Sequence, residues 1–215
     1  VVQGHHVGNL GLAYAALGEA RQSIAYYEQA LAIVRGILAA ARRGSPEWAV
    51  SRRAEGSSLG NLGNAYTALG NARRAVEYYE EALAIAREIG DRRGEGSRLG
   101  NLGNAYAELS DVRRAIECHE QALAIAREIG DRRGEGANLG NLGNAYTALG
   151  EARRAIEYYE QALAMAREIG DRRNEGIHLG SLGNAAYALG EAQQAIDYYE
   201  QALAISREIG DRRGE

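Results

Sequence analysis

Along the chain, apolar positions recur at the three- and four-residue steps of an amphipathic helix, and the whole pattern then repeats. Leu99, Leu102, Tyr106 and Leu109 fall on one face of a predicted helix A. Gly96, Gly100, Gly103 and Ala107 fall on a small-residue face, and Ser97, Asn101, Asn104 and Glu108 on a polar one. Asp91 is the expected N-cap, Glu95 adds negative charge near the positive end of the helix dipole, and the helix should run to about Leu109. A break at Ser110-Asp111 precedes helix B, whose core stripe is Val112, Ala115, Ile116, His119, Ala122, Leu123 and Ala126. Arg113, Arg114, Glu117, Glu120 and Arg127 lie outside that stripe and should be solvated. Gly130 ends helix B near Ile129 by taking the left-handed conformation.

This helix pair returns as a unit. The phrase Leu-Gly-Asn-Leu-Gly-Asn-Ala-Tyr spans 59–66, 99–106 and 139–146, with Ser181 replacing its first Asn at 179–186, where the final Tyr is displaced to Tyr187. Leu62, Leu102, Leu142 and Leu182 are spaced 40 residues apart. A fixed period of this length marks a stacked array, since one hairpin cannot bury its apolar faces alone. Each glycine inside helix A costs about 1 kcal/mol relative to alanine. Its repetition predicts a close approach by a neighbouring helix. The predicted repeats are about 1–34, 51–90, 91–130, 131–170 and 171–210. Residues 35–50 lengthen one hairpin, and 211–215 begin a further, truncated repeat. Chain 1–215 is thus read as one array, a piece of a larger multidomain protein. Within the insertion, Gly44-Ser45-Pro46 reads as a helix stop, an N-cap and Pro at the first helical position. Trp48 either packs on that tip over Ile37, Leu38 or Ala41, or meets a partner.

The unit resembles the tetratricopeptide repeat, at Leu99, Leu102, Gly103, Tyr106, Ala115, His119, Ala122 and Leu123, with Tyr79 and Tyr159 where His119 stands. Gly103 in helix A and Ala115 in helix B form the small-large pairing of that family. Extension of helix B through Ala126-Arg127-Glu128-Ile129-Gly130, without a closing proline, is similar to the longer repeats of spindle-orientation adaptors, kinesin light chains and bacterial signalling arrays. The resemblance implies an all-α fold: a right-handed superhelical α-solenoid of five antiparallel helix pairs. It also implies a scaffold that binds a protein or an extended peptide in the concave groove lined by A helices.

The candidate peptide-binding residues are the asparagines Asn61, Asn64, Asn101, Asn104, Asn141, Asn144 and Asn184, with Arg98, Glu108 and Asn138 as variable positions that set specificity. Asparagine is a poor helix former, so its repetition asks for a reason. Either the amides bond to the adjacent A helix and fix the superhelix, or they clamp the backbone of a peptide, since an amide both donates and accepts. The stripe is most complete in the middle repeats and fades to Leu12 and Ile177. No Lys or Arg flanks these asparagines, where Gly60, Gly100, Gly140, Ala68 and Ala148 stand, so a carboxylate clamp of the chaperone-tail kind is not expected.

Composition narrows the classes. A net charge of −4 gives no drive toward nucleic acid. All basic side chains are Arg. Arg-Arg pairs at 92, 132, 172 and 212 should be neutralised by neighbours such as Glu88, Asp91 and Glu95. No stretch is long enough to span a bilayer and no leader is visible, so the expected location is cytoplasmic, with no membrane partner. Cys118 excludes a disulfide framework. Catalytic motifs are missing, so the protein is read as no enzyme and needs no cofactor or metal; His5 and His6 read as surface residues. The competing class is a structural or sensor array that self-associates end to end or regulates an effector domain.

Overall fold

The structure is a computed structural model that describes residues 2–211, and side chains from 4 to 210. The Arg-Arg pair at 212 and most of the expected further repeat lie outside the described residues. Ten α-helices and no strands are found among those described: α1 Val2–Ala16, α2 Ala20–Ala40, α3 Pro46–Ala68, α4 Ala72–Glu88, α5 Arg92–Glu108, α6 Val112–Glu128, α7 Arg132–Ala148, α8 Ala152–Glu168, α9 Arg172–Ala188 and α10 Ala192–Asp211. Odd-numbered helices correspond to helix A and even-numbered ones to helix B. The chain divides into two compact units, one through Asp111 and one from Val112. Inside each unit, every helix packs on the next along the chain, forming antiparallel pairs stacked in sequence order.

Local chemistry sets the helix ends. Asp91, Asp131 and Asp171 accept from the backbone N–H three residues on at 2.9, 3.0 and 3.1 Å. Asn71 and Ser45 do the same for Arg74 and Trp48 at 3.2 Å each. Helix A closes with the paired bonds of a glycine-terminated end: Asn71 N–H to Tyr66 C=O at 2.9 Å and Gly70 N–H to Thr67 C=O at 2.8 Å, with Gly70 at φ 70°. Ser110 holds the same post at φ 60° without glycine's freedom. The insertion extends α2 and α3 to 21 and 23 residues, against 17 for α4 to α9. Trp48 is half-buried on α3.

In the first unit the core gathers Ile24, Tyr27, Leu31, Leu59, Leu62, Ala82 and Ile85. In the second it gathers Tyr146, Tyr159, Leu163, Leu179, Leu182 and Ile205, and beside them Leu123, Leu139, Leu142 and Ala162. The expected helix-B stripe is buried at Ala115, His119, Ala122, Leu123 and Ala126, with Ile125 added to it. Leu109, expected on the apolar face, is 36% exposed. It stands at the helix C-cap, where the chain leaves the packed face.

The glycines of helix A do admit close neighbours, and the nearest atoms are mostly side chains of the adjacent helices. A Cβ on Gly63 would stand 2.3 Å from the Tyr79 ring, and one on Gly143 would stand 2.4 Å from Tyr159. In these repeats the tyrosine ring supplies the nearest atoms to the glycine, and Ala75 and Ala155 of the same B helices are fully buried.

Ion pairs tie successive hairpins together. Glu95 accepts from Arg87 at 2.9 Å and Arg92 at 2.5 Å. Glu135 lies between Arg127 and Arg132, and Glu175 between Arg167 and Arg172. Glu55 lies between Arg35 and Arg52. Arg52, Arg132 and Arg172 also reach a helix-B glutamate each, Arg52 to Glu88, Arg132 to Glu168 and Arg172 to Glu208. Burial would raise the Glu95 and Glu175 pKa values. Hydrogen bonds from the flanking arginines outweigh it and hold both below the ordinary carboxylate value.

Candidate peptide-binding face

Helix-A asparagines occupy two kinds of position. Asn61, Asn101 and Asn141 are half-buried; Asn64, Asn104, Asn144 and Asn184 are exposed. In three repeats the exposed asparagine is held by the helix-B tyrosine that packs under the neighbouring glycine. Tyr79, Tyr159 and Tyr199 donate their hydroxyls to Oδ1 of Asn64, Asn144 and Asn184 at 2.8, 2.8 and 2.7 Å. Thr67 and Thr147 contact the first two of these hydroxyls at 3.3 and 3.2 Å. Asn64 Oδ1 also accepts from Asn101 Nδ2 at 3.2 Å, a link between the A helices α3 and α5. The Nδ2 donors of Asn64, Asn144 and Asn184 meet no protein acceptor among the described residues.

The variable positions fall in three different places. Glu108 is exposed near the end of α5. Asn138 is buried: it faces His119 Nδ1 at 3.2 Å and donates to Gly134 C=O at 2.8 Å, so its amide is spent inside the second unit. Burial pulls the His119 pKa below the usual imidazole value, and the Asn138 bond offsets part of that shift. Arg98 lies over Gly60, where a Cβ would meet its guanidinium at 2.3 Å. A cation therefore does stand on the A-helix face between α3 and α5, against the expectation drawn from the flanking glycines. Burial lowers the Arg98 pKa, and the guanidinium has no hydrogen-bond or ion-pair partner among the described residues.

Arg98 belongs to a register the sequence did not reveal. The residue 38 positions after the glycine of one A helix covers that glycine from the next (60 and 98, 140 and 178). Between α7 and α9 the covering residue is His178, 2.7 Å from a Cβ built on Gly140. It leaves a cleft of about 210 Å³ lined by Asn141, Asn144, Ile177 and Ser181. Between α3 and α5, Arg98 leaves about 20 Å³. Between α1 and α3 the residue nearest this register is Ser58, too short to reach Gly8, and the cleft there holds about 370 Å³. Burial lowers the His178 pKa, partly offset by the Asp171 charge.

The arginine pairs divide their labour. The first member, as at Arg132 and Arg172, is locked in the ion pairs between hairpins. The second is exposed, and Arg53 and Arg133 line the clefts of their units.

Stacked helical hairpins whose A helices carry held polar side chains beside open clefts define a helical repeat protein. The chain belongs to the tetratricopeptide repeat family: the family pattern matches residues 54–128 and 134–208, and a second tetratricopeptide repeat pattern matches 7–38. The sequence finds no match among curated proteins. Among solved structures, it is similar to the nearly identical TPR-like repeats assigned to a kinesin light chain of Podosopora anserina. The TM-score is 0.72 at 25% identity, over 95% of each chain. BtubC (BKLC) from P. vanneervenii shares the fold with TM-score 0.82 at 21% identity, over 96% of this chain and 80% of that one. A Rap protein complexed with competence and sporulation factor shares it with TM-score 0.74 at 16% identity. That likeness covers 99% of this chain and 56% of the Rap protein. No helix among the described residues is long and apolar enough to cross a membrane.

Proposed function

We propose that the protein is a protein-interaction scaffold whose A-helix face in each unit holds an extended segment of a partner. The contacts run through Asn61, Asn64, Asn101 and Asn104 in the first unit and Asn141, Asn144 and Asn184 in the second. One observation carries this reading. The tyrosine hydroxyls fix Asn64, Asn144 and Asn184 by their oxygens and leave the Nδ2 donors for an outside acceptor. A donor already held in place loses little freedom on binding, which is the advantage of preorganisation. A carbonyl of any residue satisfies such a donor, so the contact suits a peptide backbone. Family membership supports the reading, as does the Rap protein seen with competence and sporulation factor.

The test changes Asn64, Asn144 and Asn184 together to Asp. The aspartates keep an acceptor for the tyrosines and remove the donors. Capture of partners from lysate, identified by mass spectrometry, should fall at least tenfold while the melting temperature holds. Unchanged capture refutes the reading.

A second reading, end-to-end self-association, rests on α10. Leu203 is 50% exposed there, whereas Leu163 at the same repeat position is 7% exposed. Mass in solution measured against concentration decides it, since association through that face is lost in Leu203→Glu.

A further inference from the structure

We propose that the cleft between α1 and α3 is an anchor pocket for one large apolar side chain of a bound peptide, with an acidic residue beside it. This deepens the peptide-binding reading and rests on it. Three observations carry the proposal.

The first is space. Ser58 stands where Arg98 and His178 cover a glycine elsewhere, and it leaves about 370 Å³ open. Leu12, Val34 and Val50 wall that space, and Leu12 and Val50 are about half exposed there. Exposed aliphatic side chains facing one cleft favour an apolar occupant.

The second is an unused donor. Tyr27 is only 2% exposed, packs under Gly11 as Tyr79 packs under Gly63, and lines the cleft. Leu12 stands where Asn64 accepts from Tyr79, and Ala15 where Thr67 does. The Tyr27 hydroxyl therefore has no hydrogen-bond partner among the described residues, and it is not sealed from solvent. A hydroxyl at the floor of an apolar cleft gains most from a ligand that brings an acceptor, and a peptide carbonyl next to the buried side chain supplies one.

The third is charge. No carboxylate lines the cleft, and Arg53 at its wall has no ion-pair partner among the described residues. His5 also lines it. An acidic neighbour of the anchor would meet Arg53, and a basic one would be repelled.

The probe is a set of capped heptapeptides with a central leucine or tryptophan flanked by aspartates, titrated against the full chain by fluorescence anisotropy. Serine-centred and lysine-flanked versions serve as controls, with decanoate as a non-peptide apolar anion. Two variants read the pocket. Ser58→Arg places over the α1 cleft the side chain that already covers Gly60 from position 98, and it should cut affinity at least tenfold. Leu12→Asn gives Tyr27 the acceptor found in other repeats and removes an apolar wall, and it should cut affinity about fivefold. Both should melt within a few degrees of the parent. Binding by aspartate-flanked apolar peptides that is lost in both variants supports the pocket. Three outcomes overturn it: no preference for the apolar centre over serine, affinity unchanged in both folded variants, or decanoate binding without peptide binding. If peptides bind independently of Ser58 and Leu12 yet weaken in the triple Asn→Asp chain, the anchor fails and the scaffold reading stands. If the triple change leaves binding intact while Ser58→Arg abolishes it, the anchor stands and the asparagine reading fails.

Discussion

Alanine placed at Gly143 and at Gly180 should move stability in opposite directions. Both glycines lie inside A helices, α7 and α9, and each gives up about 1 kcal/mol of helix propensity relative to alanine. At Gly180 nothing stands within 4 Å of an added Cβ, so Gly180→Ala should recover most of that gain, about 0.5–1 kcal/mol. At Gly143 the same atom would lie 2.4, 2.5 and 2.9 Å from three carbons of the Tyr159 ring. That ring is buried, and its hydroxyl is held by Asn144 and contacted by Thr147, so it has little room to retreat. Overpacking of this kind costs about 1–3 kcal/mol. With contacts this short the upper half of that range applies, and subtracting the propensity gain leaves a net loss of about 1–2 kcal/mol. Gly183→Ala makes the graded control. Its Cβ would lie 2.6 Å from the Tyr199 ring, but that ring is partly exposed and can yield, so the loss should be smaller. Urea unfolding followed by circular dichroism gives the three values, and a 1 kcal/mol change corresponds to about 2–4 °C in melting temperature at this size. Equal stabilisation by Gly143→Ala and Gly180→Ala would refute the claim that Gly143 makes room for the Tyr159 ring.

Three further outcomes follow from the same packing. Ser110→Gly should stabilise by about 1 kcal/mol, because it relieves a left-handed backbone position in a serine and keeps the Asp111 N–H to Tyr106 C=O bond; no gain in urea midpoint would count against it. Glu175→Gln should cost about 1–2 kcal/mol by unpairing Arg167 and Arg172, which are about half exposed and can resolvate; because the Glu175 pKa is depressed on folding, that contribution is present above the unfolded value of about 4.3 and is lost as pH falls through the folded one. His119 and His178 are also depressed, so the unfolded chain binds protons first: stability should be full above about pH 7 and decline below about 6.5, and His119→Gln should flatten that decline in urea titrations at about pH 5 and 7.5.

What the sequence made legible is what recurs locally. Helix caps at Asp91 and Ser45-Pro46, glycine ends at Gly70 and Gly130, and the buried leucines at 62, 102, 142 and 182 all follow from neighbours within one turn of helix. Leu109 escaped that logic because the helix ends beneath it. Glu95 escaped it too: its place near a helix start suggested a dipole contact, while its pairing depends on Arg87, a residue of the previous helix. The glycines at 60 and 140 announced a close neighbour, but the neighbours, Arg98 and His178, stand 38 residues on, a separation no helical period encodes. The tyrosine–asparagine bonds were closer to hand. Asn64, Asn144 and Asn184 each precede a tyrosine by 15 residues, and pairing the two columns would have found them.

The register at 58, 98 and 178 also explains how nearly identical repeats can present different surfaces. The leucines and tyrosines that stack one hairpin on the next leave little freedom, since a volume change of one methylene is felt in a packed interior. The residue covering each A-helix glycine touches the stack only at its edge, so serine, arginine and histidine are all accommodated without disturbing Leu59, Leu99 or Leu179, which remain buried beside them. Varying this one position accompanies a change in the cleft from about 370 to about 20 Å³. It also changes the chemistry on offer, from an open apolar floor at Ser58 to an unpaired guanidinium at Arg98 and an imidazole at His178. Asn138 shows the limit of the freedom: opposite His119 it turns inward and is consumed by the fold. If the array binds peptides as proposed, its specificity is set mainly at a position that the stacking interactions do not constrain. Exchanging Ser58 and Arg98 should exchange the open and filled clefts while leaving the unfolding free energy within about 0.5 kcal/mol. A crystal structure of the double variant checks the clefts and urea unfolding checks the energy; a loss well beyond that margin would mean that the covering residue belongs to the stack after all.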